Sequence, residues 1–397
     1  MKLLATCSLG GAGHWRPLAE FLRAATGPDD AVVVVAPPSM REMVERDGFT
    51  FVVGAEPSEA VIGPIRERLP TAPPDEAAVL ANRVLFAEFA ATAMLPRVDA
   101  ACERWRPDLV LRDPCEYAAA IVAGARNIPS AQVGVSQAEI EWGSLSIASP
   151  ALEQHRSGLT AEIAAAPYIS RFPSSIDPSP FATTLRYRTR RAATLEPLAD
   201  WWTGRTSRSG RAAQPGDETR PLVYLTFGTV LAYMSFAADA YRFALDALST
   251  MDARVLLTVG QTFPIGRLGT IPANAHVEPW IDQHRALHEA AALVCHGGSG
   301  TMLGAIEAEV PLVVMPFFSD QRTNGQLVER HRLGKMVEPT SSPHDQQPVF
   351  GAADAAALTD AVEAVLADRS SFDGFADITA DWADAPMAAE VLAQLVG

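Results

Sequence analysis

The stretch AALVCHGGSGTMLGAIEAE, residues 291–309, carries the pattern that decides the fold. Its apolar beginning, AALV, is typical of a buried β-strand, and MLGAIEAE at its end is typical of a helix. The glycine-rich segment CHGGSGT between them therefore predicts a turn at the N-terminus of a helix. Backbone N–H groups and the positive end of the helix dipole favour an anion at such a turn.

The same alternation of strand and helix runs outward from this stretch in both directions. Helices are predicted for 14–25, with Pro17 in the first turn, and for 116–127. The predicted strands are KLLATCS (2–8), AVVVVA (31–36), FTFVVG (49–54), DLVLRD (108–113), SAQVGVS (130–136), PLVYLTFGTV (221–230), RVLLTVG (254–260), AALVCHGG (291–298) and PLVVMPFF (311–318). This order predicts an α/β fold with two doubly wound, Rossmann-like domains.

A polar segment separates the two halves. Residues 203–220, TGRTSRSGRAAQPGDETR, are rich in glycine, serine and arginine and nearly free of large apolar side chains, as expected for a linker. The predicted domains are therefore 1–202 and 221–375, followed by a mostly helical segment, 376–397. Ligands are expected in a deep cleft between the carboxyl ends of the two sheets.

Composition excludes several classes of function. The net charge is −15 and only two lysines are present, which disfavours nucleic-acid partners, an anionic membrane surface and a lysine Schiff base. Four isolated cysteines without a C-x-x-C pair exclude a zinc ribbon and suit a reducing cytoplasm. No apolar run approaches the roughly 20 residues that cross a bilayer.

The first glycine-rich loop, SLGGAGHWRP (8–17), is not a dinucleotide fingerprint. Gly11 and Gly13 supply the first pair of G-x-G-x-x-G, but Arg16 stands at the third position, and no acidic residue follows the second strand to hold a ribose. A Walker loop is also missing, because GKM at 334–336 lacks the serine or threonine and the upstream glycines.

His14 and Asp113 form a candidate acid–base pair. His14 begins the helix after this loop, and Asp113 follows another predicted strand, toward the same cleft. A carboxylate that accepts from one ring nitrogen fixes the tautomer and leaves the other nitrogen as a base. A histidine that merely caps the turn is the alternative.

The second glycine-rich turn is a candidate diphosphate site without a lysine. Its donors are the amides of 298–301, the hydroxyls of Ser299 and Thr301, and the ring N–H of His296, with a positive charge if the ring is protonated. TFGT (226–229) adds a second turn with two hydroxyls. Asp320 and Gln321 follow a buried strand and offer two acceptors and an amide to a polyol such as a sugar. A purely structural turn is the alternative.

Together these motifs resemble the family 1 glycosyltransferases of the GT-B fold over essentially the whole chain. GAGHWRPLAEF is similar to that family's G-x-G-H-x-x-P opening, PDLVLRD to its aspartate segment, and VYLTFGT with HGGSGT and DQ to its nucleotide-sugar signature. Asp320 and Gln321 fall at the distance from His296 that the plant enzymes of the family have. The closest resemblance is to bacterial natural-product glycosyltransferases that attach deoxysugars to polyketide-type aglycones.

The resemblance implies roles for these residues. His14 would be the general base of an inverting transfer, oriented by Asp113, and the end of the chain would pack back on the first domain. Trp280 would stack on the nucleobase, although a core tryptophan is the alternative. The implied donor-binding residues are Gly11, Gly13, Thr226, Gly228, Thr229, Trp280, Ile281, His296, Gly298, Ser299, Gly300, Thr301, Asp320 and Gln321. The chain has no D-x-D triplet, so neither a metal nor a cofactor is expected.

The acceptor site is less defined. Phe86, Phe89 and Met94 in 79–96, Trp142 in an irregular stretch after a strand, and Phe317 could line a pocket for an apolar aglycone, and core packing is an equal alternative for each.

The donor is expected to be a thymidine diphosphate sugar. Gly304 stands where the plant enzymes that use UDP-sugars have a ribose-binding glutamate, and a deoxyribose needs no partner for a 2′-hydroxyl. The alternatives are a UDP-sugar transferase on another small acceptor and a non-catalytic auxiliary protein of the same fold. The remaining expectations are a cytoplasmic location and a possible homodimer.

Overall fold

A computed structural model describes residues 1–9, 11–189, 220–341 and 348–396. The chain divides into two compact units. Unit 1 comprises Met1–Arg191 and Asp381–Gly397, and unit 2 comprises Ala192–Ala380. The linker predicted for 203–220 lies outside the described residues except for Arg220.

Unit 1 is built on a seven-stranded sheet whose order is β3-β2-β1-β4-β5-β6-β7, with every neighbouring pair parallel. The strands are β1 (Lys2–Thr6), β2 (Ala31–Ala36), β3 (Thr50–Val53), β4 (Leu109–Arg112), β5 (Ser130–Val133), β6 (Tyr168–Ser170) and β7 (Thr184–Arg186). The α-helices are α1 (Ala12–Ala25), α2 (Arg41–Arg46), α3 (Glu59–Arg68), the stretch α4 (Pro74–Trp105), α5 (Tyr117–Arg126), α6 (Ala138–His155) and α7 (Leu159–Ala165).

The C-terminal segment completes the core of unit 1. Helix Ala388–Val396 places Ala388, Val391 and Leu392 in the same buried cluster as Trp15 and Leu18 of α1. Just before it, the N–H of Arg188 donates to the carbonyl of Pro386 at 3.0 Å. Apolar residues at helical spacing on both helices therefore form one interface.

Unit 2 repeats the architecture with six parallel strands in the order β10-β9-β8-β11-β12-β13. These are β8 (Leu222–Thr226), β9 (Arg254–Thr258), β10 (Ala275–Glu278), β11 (Ala292–Cys295), β12 (Leu312–Val314) and β13 (Gly334–Met336), and a separate antiparallel pair is β14 (Thr340–Ser341) with β15 (Pro348–Val349). The helices of unit 2 are α8 (Ala237–Ala247), α9 (Gln283–Glu289), α10 (Ser299–Glu307), α11 (Gln321–Arg330) and α12 (Ala352–Ala367). The boundary between the units falls within α13 (Phe375–Asp384), and the last helix, α14 (Ala388–Val396), belongs to unit 1.

Both sheets reverse their winding direction between the first and fourth strands. This topological switch lies between β1 and β4 in unit 1 and between β8 and β11 in unit 2. Ligands of open parallel sheets bind outside the carboxyl ends of the strands at this point. The two glycine-rich loops that stood out in the sequence follow β1 and β11, so each lies at a switch point.

Three local expectations were wrong. Because α1 begins at Ala12, Pro17 lies inside the helix and not in its first turn. Trp142 lies within α6, not in an irregular stretch. Among the described residues, the stretch α4 is long and apolar enough to cross a membrane by length and composition, contrary to the expectation of none, and 22% of its most apolar window is buried. The core helix of a globular protein passes the same test.

Candidate active site

The loop after β1 presents His14 at the beginning of α1. Gly11 precedes the helix with a φ of 64°, a conformation that glycine adopts without the strain another residue would incur. The apolar residues Trp15, Leu18 and Leu22 are buried, which sets the rotation of the helix. His14 itself is 19% exposed, so its ring lies at the edge of the unit 1 core.

Asp113 holds the ring of His14. Its Oδ1 lies 3.1 Å from His14 Nδ1 and accepts from the Cys115 amide at 2.8 Å, while its Oδ2 accepts from the Ser8 amide at 2.5 Å. Burial acts to raise the pKa of Asp113, but the charge of His14 and these hydrogen bonds lower it below its ordinary value. The carboxylate is therefore ionised at neutral pH, and it accepts the proton on Nδ1, which leaves Nε2 as the basic nitrogen.

A buried arginine supports the turn that carries Asp113. The Arg112 guanidinium donates to the backbone carbonyls of Asp113 at 3.1 Å and Pro114 at 2.9 Å, and to Gln132 Oε1 at 2.9 Å. Arg112 is 1% exposed. The sequence did not single it out, because a basic residue at the end of a predicted strand has no pattern that distinguishes it from a solvated one.

Glu141, the residue before Trp142, is a second buried carboxyl group that the sequence did not single out. Its Oε1 accepts from the amides of Val135 and Ser136 at 3.0 and 2.9 Å, which closes the loop after β5. Burial raises the pKa of Glu141 to about 7, although these amides and the charge of His14 act to lower it. An acid in the first turn of a helix is the only signal that could have identified it.

An aromatic side chain of α4 lies against His14. The Val79–Ala90 part of this stretch is a π-helix, a conformation common at functional sites, and its Phe86 ring centroid is 5.4 Å from that of His14. Phe89 is 38% exposed. Met94, in contrast, is 1% exposed and belongs to the core, so it does not line a pocket.

Trp142 is 37% exposed and packs edge-on against Phe181, with ring centroids 5.2 Å apart. Trp142 belongs to α6. Leu145, Ala148 and Leu152 of this helix recur at helical spacing and are buried in one cluster with Ala87 of α4. Thus Phe86, Phe89 and Trp142 all belong to unit 1 and to two helices that pack together.

His296 lies immediately after β11, between two glycines of unit 2. A Cβ atom at Gly228 would lie 2.7 Å from His296 Cε1, and one at Gly298 would lie 2.5 Å from Nε2. Nδ1 is buried and has no hydrogen-bond partner among the described residues. Burial lowers the pKa of His296 to about 4, although the charge of Asp320 and the backbone of Thr226 act to raise it. The ring is neutral at pH 7 and adds no positive charge to the turn.

The amides at the beginning of α10 are the main candidates for binding an anion in unit 2. The helix begins at Ser299, so the N–H groups of Ser299, Gly300 and Thr301 precede the first intrahelical bond, which runs from Met302 N to Gly298 O at 3.0 Å. A Cβ atom added at Gly300 would have no other atom within 4 Å. This geometry fits an anion at the helix N-terminus.

Two hydroxyl groups that were expected to bind phosphate form hydrogen bonds with other side chains of the protein. Ser299 Oγ donates to Asp320 Oδ2 at 3.0 Å, and Asn324, which the sequence did not single out, donates to both groups at 3.1 and 3.2 Å. Thr226 is 6% exposed, and its Oγ1 accepts from Thr258 Oγ1 at 2.9 Å. Their direct roles at a diphosphate are corrected accordingly, whereas Thr301 and Thr229 remain candidates at half-buried positions.

Gln321 and Phe317 also have internal partners. Gln321 Oε1 accepts from the amides of Phe317 and Phe318 at 2.8 and 3.1 Å, so its oxygen is not an acceptor for a sugar and only its amide nitrogen is available for that role. The Phe317 ring packs edge-on against Phe227 with centroids 4.9 Å apart. Phe317 is therefore a packing residue of unit 2.

The segment after β10 carries the candidate nucleobase contact. Trp280 is 52% exposed, so it is a surface side chain and not a core tryptophan, and Ile281 beside it is half-buried. Three residues on, Gln283 Nε2 is buried without a partner in the described part of the chain. A Cβ atom at Gly304 would lie 3.8 Å from this nitrogen and 3.2 Å from Leu287 Cδ1. Gln283, which the sequence did not single out, therefore borders Gly304.

Comparison with known proteins relates most of the chain to one family. Residues 64–209 match the family described as erythromycin biosynthesis protein CIII-like, N-terminal domain, and residues 242–397 match the corresponding C-terminal domain. The L-demethylnoviosyl transferase of Streptomyces niveus is 28% identical over 354 residues, which are 87% of this chain and 86% of that protein. The elloramycin glycosyltransferase ElmGT of Streptomyces olivaceus is 26% identical over 346 residues, 84% and 85% of the two chains.

Among solved structures, the spinosyn rhamnosyltransferase SpnG complexed with thymidine diphosphate has a TM-score of 0.73 and covers 100% of each chain at 17% identity. At this identity the similarity establishes the fold and not the ligand.

Proposed function

This chain belongs to the family 1 natural-product glycosyltransferases and has their GT-B fold, and from this premise we propose that it is an inverting enzyme. It moves a deoxysugar from a thymidine diphosphate sugar to a hydroxyl group of an apolar natural-product aglycone in the cytoplasm. The observation that carries the proposal is the His14–Asp113 pair, with Nδ1 and Oδ1 3.1 Å apart at the switch point of unit 1.

The base in this proposal is Nε2 of His14. Asp113 holds the proton on Nδ1, so Nε2 takes the proton of the acceptor hydroxyl as its oxygen attacks the anomeric carbon of the sugar. The bond to the diphosphate breaks on the opposite side, and a single displacement inverts the anomeric centre. Arg112 positions Asp113 through the carbonyls of its turn.

In this proposal the leaving diphosphate binds at the glycine-rich turn 295–301, and no charged side chain of this turn stabilises it. Its charge is met by the amides and the dipole at the beginning of α10, and His296 contributes a neutral ring. Asp320 accepts hydrogen bonds from Ser299 and Asn324, which orients its carboxylate for the hydroxyl groups of the sugar.

Gly304 and Gln283 are the residues that support thymidine diphosphate as the nucleotide of the donor. A glycine offers no carboxylate to the ribose, and the neighbouring Gln283 amide offers one donor nitrogen. One such donor suits the single free ring hydroxyl of a deoxyribose, whereas a ribose would bring a 2′-hydroxyl with no acidic partner. SpnG, which shares this fold, was solved with thymidine diphosphate.

The acceptor is proposed to bind on unit 1, beside His14. Phe86 is in ring contact with His14, and the exposed Phe89 and Trp142 lie on the same pair of helices. These side chains fit an apolar, ring-containing aglycone, because aromatic faces bury large apolar areas with few rotatable bonds.

The test compares nucleotide binding with transfer. Calorimetry with TDP and UDP should show tighter binding of TDP, and equal or tighter binding of UDP would refute the donor assignment. His14→Ala should lower transfer by roughly 10²–10⁴-fold without changing TDP affinity. If the purified chain alone neither hydrolyses nor transfers from any nucleotide sugar, the non-catalytic auxiliary protein becomes the better explanation.

A further inference from the structure

The Cys115 thiol lies beside the two proposed catalytic groups and has no part in the transfer. One ligand atom from each of His14, Asp113 and Cys115 lies within 4.8 Å of the others. Asp113 and Cys115 are 0% and 7% exposed, and His14, at 19%, is their most exposed neighbour. A nitrogen, an oxygen and a sulfur ligand therefore converge at one point, and the imidazole is the ligand most exposed to solvent.

The spacing suits a small tetrahedral ion. Zinc binds nitrogen and oxygen at ~2.0–2.2 Å and thiolate sulfur at ~2.3 Å, so its tetrahedral ligands lie about 3.3–3.7 Å apart. His14 Nδ1 and Asp113 Oδ1 are already 3.1 Å apart, and the sulfur needs a shift of about 1 Å at most. Thiolate and imidazole ligands favour Zn²⁺ over Mg²⁺ or Ca²⁺.

We propose that His14, Asp113 and Cys115 form a binding site for Zn²⁺ or a similar thiophilic divalent ion, and that the bound ion switches the enzyme off. In the metal-free protein the His14 proton is on Nδ1 and Nε2 is the base. The ion takes the Nδ1 lone pair, so this proton moves through solvent to Nε2, and the Cys115 thiol releases its proton to solvent. An Nε2 that already carries hydrogen accepts no proton from an acceptor hydroxyl.

The inhibition rests on the proposed role of His14 as the base, whereas the binding of the ion does not. Binding and transfer are therefore measured separately. The metal-binding probe is Co²⁺, which has the coordination chemistry of Zn²⁺ and gives a thiolate-to-cobalt charge-transfer band in the near ultraviolet. The variant is Cys115→Ala, and Cys102→Ala is the matched control, because Cys102 is also buried in unit 1. Cys7 is not a suitable control, since its thiol lies against Asp113.

Chelator-treated wild-type protein and Cys102→Ala should develop the cobalt band, Zn²⁺ should displace it, and Cys115→Ala should lack it. The same band in Cys115→Ala would overturn the site. Cys115→Ser, which preserves the volume, carries the same expectation if the alanine variant fails to fold.

Transfer is then measured against Zn²⁺ concentration, with each variant normalised to its own metal-free rate. The half-inhibiting concentration should rise at least about tenfold in Cys115→Ala, since even losing a residue that only supports a metal ligand costs about 10–100-fold in affinity. Equal inhibition of Cys115→Ala and the wild type would overturn the switch. If the ion binds and transfer continues, the switch and the base role of His14 both fail while the binding site stands.

Discussion

Replacing Gly228 by alanine tests whether the His296 ring is held where a diphosphate needs it. Gly228 has a φ of +72°, and an added Cβ would lie 2.7 and 2.8 Å from Cε1 and Nε2 of His296. On its other side the ring lies beside Gly298, where an added Cβ would lie 2.5 Å from Nε2. The left-handed conformation costs alanine about 1–2 kcal/mol, and the forced contact adds about 1–3 kcal/mol.

The matched control is Gly269→Ala, which has a similar φ of +68° and only an ordinary contact at 3.9 Å. It should lose only the ~1–2 kcal/mol of backbone strain in chemical denaturation. Gly228→Ala should lose more stability and also weaken TDP binding by about 10–100-fold in calorimetry, the cost of one misplaced hydrogen bond to a charged oxygen. TDP affinity within about twofold of the wild type would refute a role for His296 at the diphosphate.

Three further predictions concern single groups. Thr301→Ala should weaken TDP binding by ~1.5–3 kcal/mol. Ser299→Ala removes a hydroxyl that donates to Asp320, so it should weaken binding of the nucleotide sugar more than binding of TDP. Calorimetry with both ligands distinguishes the two variants, and equal losses of TDP affinity would contradict these separate roles of Thr301 and Ser299. Glu116 is buried just before α5, and its Oε2 accepts from Thr6 Oγ1 and from the Ala119 amide, each at 2.9 Å. Burial raises the pKa of Glu116 from 4.5 to about 7, so its contribution to stability is complete below pH ~4.5 and is lost as the pH rises through 7. Glu116→Gln should therefore gain stability relative to the wild type toward about 3 kcal/mol above pH 7, and a difference in thermal unfolding that stays constant from pH 5 to 8 would argue against this titration. EDTA should leave transfer intact, and an activity lost to EDTA and restored by Mg²⁺ would show that the amides of α10 do not suffice for the diphosphate.

The sequence predicted the fold and the two loops because both depend on local patterns. Continuous apolar runs indicated the parallel strands, and glycines such as Gly11 and Gly228 indicated the turns at their ends. Both glycines have a positive φ in the structure. His14 and Asp113 were expected at the same cleft because each follows a predicted strand, and the structure shows that these strands, β1 and β4, are direct neighbours in the sheet.

The partners of individual polar groups were beyond that reasoning. Ser299 was expected to bind phosphate, but its hydroxyl donates to Asp320, 21 residues away. Arg112 was not singled out from the sequence, because its buried partners depend on a loop and on Gln132, 20 residues along the chain. The charge of His296 depends on burial between two glycines. Each property comes from tertiary packing, which periodicity does not encode.

The packing of helix Ala388–Val396 on α1 has a consequence for synthesis on the ribosome. The helix that begins the proposed active site precedes unit 2 in the chain, but Ala388, Val391 and Leu392, which share a buried cluster with Trp15 and Leu18, are translated only after all of unit 2. Throughout that interval the buried cluster around Trp15 and Leu18 lacks the side chains of Ala388, Val391 and Leu392. Unit 1 therefore completes its core only after the whole of unit 2 has been translated.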